Sequence, residues 1–189
     1  MADTQRIVIR IKKGKDGRTA LSCIRADGTT TWQRQEGAQA AFFPKHDLTH
    51  YAVESELGHR QGFYGLVCAG WDFSDFGSPW PRGRLPAEAS ISEMIVGVLD
   101  MERAMGERTP VEELNQKIAE YALEHDLAQP RPLTEEDFAR VRERRAEMFA
   151  KWEAVLPGDA LEIPFEVAQA NLRDEPAPSL HRKGAAWHV

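Results

Sequence analysis

Residues 5–34 alternate between polar and apolar positions at a period of two. In Arg6-Ile7-Val8-Ile9-Arg10-Ile11-Lys12 the three isoleucines fall on one side of an extended chain, and Arg6, Arg10 and Lys12 on the other. That is the pattern of a strand with one face on a core and one in water. Lys15-Asp16-Gly17 and Ala26-Asp27-Gly28 supply turn residues that tolerate positive φ. Residues 19–25 and the β-branched, aromatic run Thr29-Thr30-Thr31-Trp32-Gln33 complete a predicted three-stranded antiparallel meander.

Beyond residue 34 the period changes. Gln35 to Ala41 reads as a small-residue connector. Pro44 then suits the first turn of a helix and Gly58 its C-terminal cap, which predicts a helix over 44–57. Residues 62–71, apolar and punctuated by glycine, fit a buried strand or a closely packed helix equally well. The aromatic, proline-containing stretch 71–83 is expected to pack onto the body or line a pocket.

Residues 90–106 carry Ile91, Met94, Ile95, Val98, Leu99 and Met105 at three-and-four spacing, an amphipathic helix. Thr109-Pro110 opens another, with Leu114, Ile118 and Tyr121 on its buried face, and Thr134-Glu135-Glu136-Asp137 starts a third. Arg145 interrupts the stripe of that last helix and is expected at a salt-bridged core edge. Residues 161–165 contain Pro164 and suit a short edge strand. The predicted class is therefore α+β: an N-terminal three-stranded meander followed by a mostly helical body over 88–156. One domain is expected over 1–172, with a loosely ordered tail over 173–189.

Composition narrows the classes. The 189 residues carry a formal net charge of −6, with 42% hydrophobic and 29% charged residues. An acidic balance argues against a polyanionic partner, so no nucleic acid is expected. The densest basic run, Arg140, Arg142, Arg144 and Arg145, is interleaved with acids and reads as a salt-bridged helix surface. Cys23 and Cys68 each lie in an apolar run, as buried free thiols do. The N-terminus lacks a signal-peptide stretch and no apolar run has membrane-spanning length, so a cytoplasmic protein without a membrane partner is expected.

Chemistry concentrates in Phe42-Phe43-Pro44-Lys45-His46-Asp47-Leu48-Thr49-His50-Tyr51-Ala52-Val53-Glu54. With His46 at zero on a helical wheel, His50 falls near about 40°, Glu54 near about 80° and Asp47 near about 100°. The four share a quarter turn, hemmed by Val53, Leu57 and Tyr51, which points the stripe at a pocket. Two histidines at i and i+4 can converge on one ion, and Asp47 can add a ligand oxygen or orient an imidazole. Glu54 lies about 12 Å along the axis from His46, too far for easy convergence, and is cast as a base or hydrogen-bond partner. A further ligand then comes from elsewhere, with His59, Asp72 and Asp75 as candidates. Acids in turn-rich loops such as Asp72 and Asp75 also serve as caps.

His46-Asp47-Leu48-Thr49-His50 resembles the HDxxH zinc motif of a ubiquinone-biosynthesis protein family. A downstream glutamate completes the site in that family, at the position of Gly62 here. Residues Pro44 to Glu54 with the Gly-Trp-Asp loop also look like a family of small uncharacterised bacterial proteins sharing a PxHDLxHYxVE stretch. Asp47 stands where the His-Glu-x-x-His pattern of zinc proteases has Glu. The expectation is a metal-dependent enzyme, a hydrolase. His46, Asp47 and His50 would hold a zinc-like divalent ion, and Glu54 would accept a proton from bound water. The rival is a non-catalytic binding or regulatory module in which the same cluster is a structural hydrogen-bond network. No Ser-His-Asp elbow, Walker loop, dinucleotide fingerprint or Cys-pair zinc motif occurs.

Overall fold

A computed structural model describes residues 4–168 of the chain. β1 (Thr4–Lys13), β2 (Thr19–Arg25) and β3 (Thr30–Gln35) pair antiparallel in sequence order, as the alternation predicts. Gly17 and Gly28, at φ 78° and 84°, take the left-handed conformation the two turns need.

The sheet has four strands, not three. β4 (Ala160–Ala168) runs antiparallel along the free side of β1, from Thr4↔Ala168 to Lys12↔Ala160, giving the order β3-β2-β1-β4. The segment around 161–165 is the edge strand expected there, but longer. Pro164 lies opposite Val8, and the edge position tolerates its missing donor. The pairing brings Arg10 to Glu162, 152 positions away along the chain, so no local pattern could assign it to this sheet.

α1 (Gly37–Leu57) also departs from expectation, starting at Gly37 and carrying Pro44 inside it. Ala38-Gln39-Ala40-Ala41 is favourable helix sequence. Pro44 cannot donate to the carbonyl of Ala40, and the burial of the rest of the helix outweighs that one loss. Gly58, at φ 70°, ends the helix where predicted.

Residues 62–71 settle as a short helix, α2 (Phe63–Cys68). It packs so closely that a Cβ on Gly65 would lie 2.1 Å from the carbonyl oxygen of Arg60. α3 (Ala87–Met105), α4 (Val111–Glu124) and α5 (Glu135–Ala154) form the predicted helical region. Thr134 and Asp137 exchange reciprocal caps at the start of α5. Arg145 is a core-edge residue as foreseen. Its Nη1 donates to the Leu99 carbonyl at 2.6 Å, and its Nη2 lies 3.7 Å from Glu102.

Two apolar clusters flank α1. On one side Ile7, Ile9, Ile11, Leu21, Cys23, Ile163 and Phe165 of the sheet pack against Leu48 of α1, Tyr64 of α2, and Met148 and Trp152 of α5. On the other, Ala52 and Val53 of α1 meet Ile95, Leu99, Leu114, Ile118, Phe138 and Val141 of the outer helices. α1 is thus the central layer, and its remaining polar face lies along the seam with α3. Both cysteines are free and buried.

The aromatic loop folds a 3₁₀ turn over Phe73–Phe76 and lays Phe73 and Phe76 on Phe63, ring centres 5.4 and 4.7 Å apart. Among the described residues no helix is long and apolar enough to cross a membrane. The tail expected over 173–189 lies outside the described residues.

Candidate metal centre

His46 and His50 sit one turn apart on α1, their rings 4.8 Å apart, facing α3. His46 is held at Nδ1 by one carboxylate, His50 Nδ1 faces another, and both rings turn Nε2 toward a third. His46 Nδ1 lies 2.8 Å from Asp100 Oδ2, while its Nε2 is 4.0 Å from Glu93 Oε1. His50 Nδ1 lies 3.4 Å from Glu54 Oε1, and its Nε2 is 3.0 Å from Glu93 Oε2. An ionised carboxylate only accepts, so Nδ1 of His46 carries the proton toward Asp100, and a neutral ring keeps its lone pair at Nε2. This is the arrangement by which carboxylates fix the tautomer of metal-binding histidines.

One ligand atom each from His46, His50 and Glu93 lies within 4.8 Å of the others. Bonds of the zinc type set tetrahedral edges of about 3.3 Å, so side-chain shifts of about 1.5 Å or less would close this group onto one ion. The group could hold a metal ion. The Glu93 side chain is 62% exposed, so the centre opens to solvent on that side.

Electrostatics ties the group together. Burial opposes a charge on His50, but contacts with Glu54 and Glu93 outweigh it and raise its pKa to about 10. Burial would raise the Glu93 carboxyl, and His50 brings it net below its ordinary value. With no ion bound, the neighbouring Glu54 and Glu93 favour the protonated form of His50.

Glu54, 1% exposed, does two things at once. Its Oε2 accepts from the amides of Tyr64 at 2.9 Å and Gly65 at 3.2 Å, at the start of α2. Its Oε1 and His50 Nδ1 face each other, and neither has a properly formed hydrogen bond among the described residues. Gly62 is required beside it, because a Cβ there would lie 2.4 Å from Glu54 Cδ.

The other expected residues are placed elsewhere. Asp47 contributes no atom to the His46, His50 and Glu93 group among the described residues. It is buried, and burial raises its pKa to about 7 against the opposing charges of His46 and His50. His59 Nδ1 lies 2.6 Å from Ser92 Oγ, and burial lowers its pKa. Since Ser92 spends its own proton on the Glu88 carbonyl, His59 donates there. Asp72 and Asp75 cap the 3₁₀ turn reciprocally and pair with Arg25 and Arg82.

The sequence reading missed Glu93 and Asp100. They are seven apart on α3, hence on one face, and that acidic pair beside an apolar stripe was the available signal. Comparison of the chain with protein-family models, with curated proteins and with solved structures gave no match.

Proposed function

We propose that the protein binds one divalent, zinc-like ion through His46 Nε2, His50 Nε2 and the Glu93 carboxylate, and that this centre serves a hydrolytic enzyme. The observation that carries the reading is the shared orientation of the two imidazoles: each faces a carboxylate with Nδ1 and turns Nε2 toward the same third one. Two histidines and one glutamate with an open side are the donor set of catalytic rather than closed structural zinc sites. A bound ion of this kind lowers the pKa of coordinated water to about 7, which supplies a nucleophile at neutral pH.

In this reading Asp100 and Glu54 are positioning residues that hold His46 and His50. Glu54, first considered as a proton acceptor, has one oxygen occupied by the Tyr64 and Gly65 amides and the other turned to His50. That leaves Glu93, exposed at the mouth, as the carboxylate nearest an incoming group.

The rival reading is a metal-free structural network in a binding or regulatory module. The charged His50 clasped between Glu54 and Glu93 favours it. Elemental analysis after equilibration with zinc, iron or manganese separates the two. The metal reading expects about one equivalent of ion per chain, lost in Glu93→Gln and in His46→Ala/His50→Ala with the far-UV spectrum intact, and retained in Asp72→Asn. Absence of stoichiometric metal with all three ions leaves the structural network as the account.

A further inference from the structure

Three features beside the metal centre have no part in holding the ion. The first is Gly97, inside α3 between Glu93 and Asp100 and on their face. A glycine there is unfavourable relative to alanine. It is exposed, and a Cβ built on it would meet nothing within 4 Å, so space is left open above the helix between the two acids.

The second feature is Phe42, one turn before His46 on α1. Its ring stacks on the His46 imidazole at 5.4 Å with planes 27° apart, yet the residue remains 40% exposed. The third is Arg103, whose guanidinium carbon lies 5.3 Å from the centre of the Phe42 ring. Arg103 reaches only Oδ1 of Asp100, from Nε at 3.4 Å and Nη2 at 3.3 Å. Charge-assisted bonds run shorter, at about 2.7–2.9 Å. Its Nη1 has no partner among the described residues. A guanidinium held loosely at one edge, with a free edge beside an exposed ring, is equipped to grip an oxyanion.

We propose that the ligand of this centre is a small oxyanion carried on an apolar or aromatic body, with the oxyanion shared between the bound ion and Arg103 and the body laid on Phe42 over Gly97. The proposal rests on the metal-site reading above and names the class of molecule that site takes. Phosphonate, phosphate ester and carboxylate share the required chemistry: a planar or tetrahedral set of oxygens that can bind an ion on one side and a guanidinium fork on the other. The surrounding acids Glu93, Asp100 and Glu54 are each tied to a histidine, and Arg103 supplies the cation for the incoming charge.

Titration calorimetry of the zinc-loaded protein with phenylphosphonate, and with methylphosphonate for comparison, tests this. Phenylphosphonate is expected to bind the zinc-loaded protein and not the protein in EDTA. Arg103→Gln should weaken it by about tenfold or more, as losing a hydrogen bond to a charged group does, with Arg103→Lys in between and zinc content unchanged in both. Phe42→Ala should weaken phenylphosphonate more than methylphosphonate, and Gly97→Val should block both while Gly97→Ala is tolerated. Equal affinity in Arg103→Gln, or binding that survives EDTA, overturns the proposal. If zinc binds in stoichiometric amount and phenylphosphonate does not, this proposal fails and the metal site stands. If zinc itself does not bind, the metal-site reading fails and takes this one with it.

Discussion

Asp47→Asn offers the sharpest test of how the buried seam of α1 is charged. Asp47 is 5% exposed, and its carboxylate has no hydrogen-bond partner among the described residues. Burial disfavours its ionised form most, the charges of His46 and His50 offset part of that, and Asp100 and Glu93 add to it. A shift of a carboxyl pKa from 3.8 to about 7 amounts to about 4 kcal/mol between the fully protonated and fully ionised limits.

The direction follows from linkage. The folded pKa lies above the unfolded one, so the folded state binds the proton more tightly. Its stabilisation is complete below pH 3.8 and is lost as pH rises through about 7. Asparagine keeps the shape and removes the titration. Relative to the parent, Asp47→Asn should therefore gain about 2 kcal/mol in stability between pH about 5.5 and pH about 8.5, the part of the linkage spanned by that window. Urea unfolding of metal-free protein at the two pH values, in EDTA, measures it. Any constant difference from altered packing cancels between the two conditions. A stability difference that is flat with pH, or that moves the other way, would show that Asp47 is ionised at no cost and that its surroundings are more polar than its burial implies. Zinc content of Asp47→Asn should equal that of the parent, because the proposed ligand set does not include it.

Two further substitutions test the supports of the centre. Gly62→Ala places a Cβ against the Glu54 carboxyl and should cost about 2 kcal/mol in urea unfolding, with weaker zinc binding because His50 loses its orienting partner; unchanged stability and zinc affinity would refute the packing argument. Glu102, buried, accepts from the Thr109 amide at 2.8 Å and pairs with Arg142 and Arg145 across α3 and α5. Glu102→Gln should destabilise by about 3 kcal/mol by leaving half-buried guanidinium groups uncompensated, and a loss below about 0.5 kcal/mol would place that triad among pairs that solvent screens.

Much of this protein was legible in its sequence because the relevant information is local. Period-two alternation in residues 6–12 determined β1 and the side of it that faces the core, since adjacent side chains of a strand must point oppositely. Asp-Gly pairs determined the hairpin turns, and Gly58 the end of α1. The spacing of His46, His50 and Glu54 determined that they share a face, because helix geometry leaves no choice.

What the sequence could not decide is which distant segments meet. β4 joins the sheet because its inward residues Ile163 and Phe165 complete the apolar face of β1, a pairing across most of the chain. Pro44 sits inside α1 because packing on both flanks of that helix outweighs one lost hydrogen bond. The same holds at the centre. The sequence determined two histidines on one face, and only the docking of α3 across that face decided that Glu93 and Asp100 stand against them. Asp47, adjacent in sequence to His46, contributes no atom to the His46, His50 and Glu93 group among the described residues. A helix distributes neighbouring residues about 100° apart, so which side chains can converge is set by which helix packs opposite, and that is a property of the folded chain.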